Sequence, residues 1–222
     1  AGSQYGLPGA GIELLVAARV QAIKAYSKLD LPQSPMLLLE FHGTQAGVME
    51  QAEVFGSLAE DQGGHGFIAT ATAEERNTLW KARHDAYWAM LALRPGRQGV
   101  ATDVCVPISR FAEAITLAID KAEEMDLIAP IVGHAGDGNF HASLMVDMDN
   151  AEELARAKAY VSWLNDRAIE MDGTCTGEHG IGQGKRAYLV KELGAETLSV
   201  MAAIKTALDP DNIMNPGKIL PE

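Results

Sequence analysis

The chain has 222 residues, 47% of them hydrophobic and 22% charged, with 30 acidic against 18 basic side chains and a formal net charge of −12. That supports a buried core in one large domain or two small ones, and the negative field argues against nucleic acid as a partner. Cys105 and Cys175 make neither a disulfide framework nor a CxxC metal site, no run nears the ~20 apolar residues of a membrane span, and the opening AGSQYGLPGAG lacks the features of a secretory signal.

Taken in chain order, apolar Leu14, Leu15, Ala18, Ala22 and Ala25 at helical spacing predict a first helix over about 11–28. The compact apolar run in SPMLLLEFHG predicts a buried strand at 36–41. Thr44 opens a helix carrying Val48, Ala52, Phe55 and Leu58, stopped at Gly63-Gly64. HGFIAT, 65–70, reads as a short strand. Thr72 and Glu75 have capping-box spacing and open a helix to about 93, ended by Arg94-Pro95-Gly96.

VATDVCVP, 100–107, reads as one strand, with Ser109 capping the helix that follows. That helix carries Phe111, Ala114, Ile115, Ala118, Ala122 and Met125. Two strand-like runs in PIVGHAGDGNFHASLMV form a hairpin. Asn150 and Glu153 open a helix that buries Leu154, Ala157, Val161, Leu164, Ala168 and Met171, with Gly173 as a left-handed C-cap. A glycine-dense loop fills 173–184, and a last helix near 195–207 ends before Pro210. The fold class is α+β, a largely antiparallel sheet with helices packed against it, and no linker is seen to divide residues 1–222.

The hairpin sequence GHAGDGNFH, 133–141, concentrates the chemistry. A two-residue Asp137-Gly138 turn pairs 136 with 139 and sets His134 opposite His141. A four-residue turn over 135–138 pairs 134 with 139 and makes His141 the diagonal neighbour. Both registers aim two imidazoles at one face, as two ligands of one metal or two donors to one anion. A purely structural role for each histidine is the competing reading, as is mere turn-making for the three glycines.

CTGEHGIGQGKR, 175–186, offers Glu178 and His179 among small neighbours. Two histidines and a carboxylate are a common catalytic metal set that leaves open positions. Glu178 as third ligand leaves His179 as general base, and the reverse assignment stays open on composition. The glycines here fail both the Walker and the dinucleotide spacings, so no phosphate-cofactor site is read. Arg83 lies on the apolar stripe of Leu79, Ala86, Tyr87 and Met90. An inward guanidinium needs an anion, either an internal carboxylate or a substrate carboxylate walled by Trp80, Tyr87 and Trp88.

GHAGDGNFH, GEHGIGQGK and DPDNIMNPGKI, in this order and spacing, resemble the C-terminal region of the flavin-linked 2-hydroxy acid oxidases and dehydrogenases, relatives of vanillyl-alcohol oxidase. LEFHG (39–43), LWKARHDAYWAMLALRPG (79–96) and TDVCVPISR (102–110) are most similar to the D-lactate dehydrogenase (cytochrome) branch. The resemblance implies a cap or substrate domain with ferredoxin-like elements. It implies zinc or manganese held by His134, His141 and Glu178, with His179 as base and Arg83 on the substrate carboxylate. Asn215 would approach the flavin, and Asp137 and Asn139 would orient the metal ligands.

Relatives acting on hydroxyglutarate carry a lysine two positions before the strand aspartate. Ala101 stands there in this chain, which favours a small monocarboxylate such as D-lactate or glycolate. The resemblance also implies FAD bound mainly by an N-terminal domain that this chain lacks, so that the chain alone is inactive. The electron acceptor would be a cytochrome, a quinone or an electron-transfer flavoprotein. A homodimer stays open, as does the location, cytoplasmic or mitochondrial and membrane-associated in the full-length enzyme. The rival readings are a His₂Glu metal hydrolase and a non-catalytic metal- or anion-binding module.

Overall fold

The computed structural model describes residues 9–70 and 72–220. The chain forms two compact units, Ala1–Pro95 and Gly96–Glu222. Their boundary falls at the Pro95-Gly96 pair that ends a helix.

In the first unit, β1 (Gly9–Leu15) pairs antiparallel with β2 (Met36–Phe41), Leu15 opposite Met36 and Ile12 opposite Leu39. The helix expected from residue 11 therefore starts later, as α1 (Ala17–Ser27). Ile12 to Leu15 have a strand partner, and ladder pairing outweighs the good helical propensity of Glu13, Leu14 and Leu15. α2 (Gln45–Asp61) is capped by the Thr44 hydroxyl, which accepts the Gly47 N–H. α3 (Ala73–Leu93) is capped by Thr72, which accepts the Glu75 N–H and donates to the Glu75 carboxylate. The core of this unit is Leu15, Val20, Ala22, Ile23, Ala86, Ala89 and Met90. HGFIAT forms no strand: it finds no ladder partner among the described residues, and Phe67 packs its ring near Phe55 while Ile68 is exposed.

The second unit is built on β6 (Asn139–Val146), buried along its whole length. β5 (Ile131–His134) pairs with it antiparallel as the hairpin partner. β3 (Gln98–Ala101) and β4 (Val104–Cys105) also pair with β6, antiparallel. The single strand expected over 100–107 is thus broken at Thr102-Asp103. Both residues are nearly sealed from solvent, 2% and 3% exposed. The register is nevertheless continuous: Ala101 faces Ser143 and Val104 faces Phe140, so Thr102 lies opposite Ala142 and Asp103 opposite His141.

A 3₁₀ turn (Ile108–Arg110) replaces the expected Ser109 cap, and α4 (Phe111–Glu124) starts from it with no side-chain cap. Pro107 and the N–H of Arg110 bonding back to its carbonyl complete that tighter entry. α5 (Ala151–Glu170) is capped by Asn150, which accepts the N–H groups of Glu152 and Glu153. The left-handed residue at its end is Asp172, not Gly173. Gly173 is needed for close approach instead: a Cβ there would lie 2.2 Å from the Cys105 carbonyl oxygen.

α6 (Arg186–Leu208) is two helical runs joined at Gly194, whose φ of 76° and ψ of 161° break the helix. The expected helix over 195–207 is the second run. The first follows a glycine loop with no capping signal to announce it. Among the described residues no helix is long and apolar enough to cross a membrane.

Candidate metal centre and catalytic loop

The hairpin takes the second of the two registers weighed. His134 pairs with Asn139 and Val132 with His141, with the four-residue turn over 135–138 between. The N–H groups of Asp137 and Gly138 both bond the His134 carbonyl to close it. His134 and His141 are therefore diagonal neighbours on one face. Their ring centroids are 5.4 Å apart at an interplanar angle of 80°.

The loop 173–184 brings Glu178 onto that face. Its Oε1 lies 3.0 Å from His141 Nε2, 3.6 Å from His134 Nε2 and 3.7 Å from His179 Nε2. The ligand atoms of His134, His141 and Glu178 all lie within 4.8 Å of one another. His179 is largely exposed beside them, its ring centroid 5.4 Å from that of His141.

His141 Nδ1 lies 2.9 Å from the Thr102 carbonyl oxygen. A carbonyl only accepts, so Nδ1 carries a proton, which leaves Nε2 as the ring nitrogen able to offer a lone pair to a metal. That nitrogen is buried and, among the described residues, has no hydrogen-bond partner. A 3.0 Å separation from a carboxylate oxygen would ordinarily read as a bond. With a single proton on the ring, both atoms are acceptors and repel unless a cation lies between them; with a second proton on Nε2 the contact is an ion pair.

Asp103, His141 and His179 form a second cluster of ligand type. It is the weaker metal candidate. Asp103 faces the Nδ1 edge of His141, at 3.7 Å, which Thr102 already occupies. Both Asp103 oxygens are also engaged. Oδ2 accepts the Thr176 hydroxyl and the N–H groups of Gly177 and His179, and Oδ1 accepts the Glu178 N–H. Burial pushes the Asp103 carboxyl upward, but the N–H donors of His179 and Glu178, the Thr176 hydroxyl and the Lys185 ammonium outweigh it. The group titrates below the ordinary carboxylate range. Lys185 Nζ donates to the carbonyls of Asp103 and Cys175, at 2.5 and 2.6 Å, and burial draws its own pKa down.

The other expected residues fall as follows. Asn139 is buried beneath the loop, where a Cβ on Gly177 would meet its Oδ1 at 2.3 Å. Asp137 is exposed in the turn. Arg83, in the first unit, pairs its Nε with Glu13 Oε2 at 2.9 Å, the internal-carboxylate arrangement. Tyr87 and Trp88 are exposed and contact each other edge-on. Asn215 sits exposed at φ 48° in the tail after α6, which the Ile219 N–H ties to the Gly182 carbonyl. Sequence reasoning missed Thr102, Asp103 and Lys185 as parts of the site. The available signal was a Thr-Asp pair inside an otherwise apolar strand, since buried polar residues are the informative ones.

Residues 3–219 match the family of FAD linked oxidases, C-terminal domain. The chain belongs to that family. This FAD-linked oxidase C-terminal domain is 45% identical over 217 residues to a probable mitochondrial D-lactate dehydrogenase of Danio rerio, covering 98% of the chain and 44% of that protein. It is 41% identical over 216 residues to the mitochondrial D-lactate dehydrogenase [cytochrome] of Arabidopsis thaliana, covering 97% and 38%. A glycolate oxidase subunit of Bacillus subtilis is 34% identical over 212 residues, covering 95% and 45%. The domain thus spans less than half the length of these relatives.

Among solved structures, p-cresol methylhydroxylase with substrate bound matches with a TM-score of 0.68 at 16% identity, covering 93% of the domain and 46% of that chain. A likeness at that identity speaks to the fold: an antiparallel sheet with helices packed on it.

Proposed function

We propose that this domain is the substrate-side part of a flavin-dependent dehydrogenase that oxidises a small D-2-hydroxy acid, D-lactate or glycolate, to the 2-oxo acid. The carrying observation is the convergence of three ligand-type side chains, with His141 Nε2 and Glu178 Oε1 facing each other at 3.0 Å beside His134. Such a donor set suits zinc or manganese, which would supply the positive charge that lowers the pKa of a substrate hydroxyl. FAD, held mainly by a further domain of the longer enzyme, would supply the electron sink.

The residues of this chain then have defined tasks. His134, His141 and Glu178 hold the cation, and Thr102 keeps His141 in the tautomer that can do so. His179 receives the hydroxyl proton on its ring: it is exposed and can face substrate. Arg83 holds the substrate carboxylate, exchanging Glu13 for it. Asn215 would approach the flavin. Ala101, where a hydroxyglutarate enzyme would carry lysine, supports a monocarboxylate. The electron acceptor would be a cytochrome, in keeping with the Arabidopsis relative's name, or a quinone or electron-transfer flavoprotein.

The test is D-lactate and glycolate oxidation by the chain joined to a family FAD-binding domain. His179→Asn is expected to lower turnover by ~10²-fold or more. Wild-type turnover in that variant would remove His179 from the base role. Loss of oxidation with no loss of metal in His134→Ala would remove His134 from the ligands.

A further inference from the structure

Gly177, Glu178 and His179 present three consecutive backbone N–H groups, and all three end on one side chain, Asp103. Successive N–H groups turned to one side form an anion-binding concavity. Here the anion is internal. It arrives from the break between β3 and β4, and the Thr176 hydroxyl adds a fourth bond to the same carboxylate. The preceding residue, Thr102, supplies the carbonyl that orients His141. Two adjacent residues thus control three of the four site side chains: Thr102 sets the ring of His141, and Asp103 sets the backbone from which Glu178 and His179 project.

We propose that Asp103 is a positioning residue that holds the Thr176–His179 loop in register with the hairpin, and thereby fixes the metal-ligand carboxylate and the base together. This rests on the metal reading given above for the Glu178 part. Asp103 is not a ligand in this account, because its oxygens are used by the loop and His141 offers it only the Nδ1 edge. Asp103→Asn keeps the size and polarity but turns one oxygen into a donor. With its oxygen on the side that receives three donors, its amide would face the Glu178 N–H, donor against donor, and Glu178 would be displaced.

The test uses the full chain, with Mn²⁺ titrated against wild type, His134→Ala, Asp103→Asn and Thr176→Val, and amide hydrogen exchange read in parallel. Asp103→Asn is expected to weaken Mn²⁺ by ~10–100-fold, the range for removing a group that orients a ligand. It should also speed exchange at Gly177, Glu178 and His179 while sheet amides keep their protection. A lower unfolding temperature with unchanged Mn²⁺ affinity and unchanged exchange at 177–179 would overturn the proposal, leaving Asp103 a structural role only. If Asp103→Asn does not fold, Thr176→Val, which removes one donor and keeps the carboxylate, carries the test. A few-fold loss of Mn²⁺ affinity supports the proposal, and wild-type affinity with wild-type exchange overturns it. If wild type binds Mn²⁺ no better than His134→Ala, the metal reading fails instead. Asp103 is then judged by exchange alone: faster exchange confined to 177–179 supports it and unchanged exchange overturns it.

Discussion

Replacing Thr102 by valine isolates one hydroxyl on which both the fold and the site depend. Thr102 and Ala142 form a ladder pair in which the Thr102 N–H donates to the Ala142 carbonyl at 2.9 Å. The return bond runs from the Ala142 N–H to the Thr102 hydroxyl, also 2.9 Å, and not to the Thr102 carbonyl. The hydroxyl thereby releases that carbonyl for His141 Nδ1. Valine keeps the branched shape but leaves the Ala142 N–H, in a fully buried strand, without its acceptor. An unsatisfied buried donor costs about 1–3 kcal/mol. For a unit of this size each kcal/mol is worth roughly 4 °C, so the midpoint should fall by roughly 4–12 °C.

If the Ala142 N–H instead captures the Thr102 carbonyl, stability is partly restored but His141 loses the bond that fixes its tautomer. Thermal unfolding and Mn²⁺ titration of Thr102→Val and Thr102→Ser separate these outcomes. Serine, which keeps the hydroxyl, should stay within about 1 kcal/mol of wild type, the loss of one buried methyl group. A valine variant that melts and binds Mn²⁺ like wild type would refute the reasoning. So would a serine variant that falls as far as valine.

Gly138 has a φ of 81°, and a Cβ there would lie 2.0 Å from the Val106 carbonyl oxygen, so Gly138→Ala should cost about 2–5 kcal/mol by denaturant titration. Burial raises both thiols, Cys175 to about 12, with Glu192 adding to the effect there and Asp137 and Asp103 at Cys105. At pH 8 the Cys175 thiolate fraction is then ~10⁻⁴, and mass spectrometry after iodoacetamide should find Cys105 labelled first and Cys175 only on unfolding. Asp103 has a folded pKa below its ordinary value, so its contribution is full above the ordinary carboxylate range, about 3.9, and is lost as pH falls through the folded value. Amide protection at 177–179 should therefore persist at pH 4 and collapse only at lower pH.

Elements announced by local chemistry were legible in the sequence. Thr44, Thr72 and Asn150 cap α2, α3 and α5 where their spacing predicted, and the apolar run at 36–41 is β2. Elements decided by distant partners were not. Residues 12–15 became strand because β2 pairs with them, HGFIAT failed because no described residue does, and Gly173 answers to the Cys105 carbonyl rather than to its own helix. The site divides in the same way. Period-two alternation puts His134 and His141 on one face in either register, so their convergence could be read without knowing the turn. The bonds from Asp103 to the loop cross 73 to 76 positions, and Arg83 reaches Glu13 across 70, distances over which no sequence period carries information.

The three glycines of the hairpin are not equivalent, and the difference has a practical use. Gly133 is hemmed in, with a Cβ 2.6 Å from the Phe111 ring, and Gly138 by the Val106 carbonyl, but a Cβ on Gly136 would meet nothing within 4 Å. Gly136 is exposed and lies two residues from His134. Gly136→Cys would therefore place an accessible thiol beside the metal ligands, in a chain where burial raises the pKa of both native thiols and Cys105 is the one to replace first. A fluorophore or nitroxide attached there would report cation binding from a turn's length away, without altering any residue that makes the site.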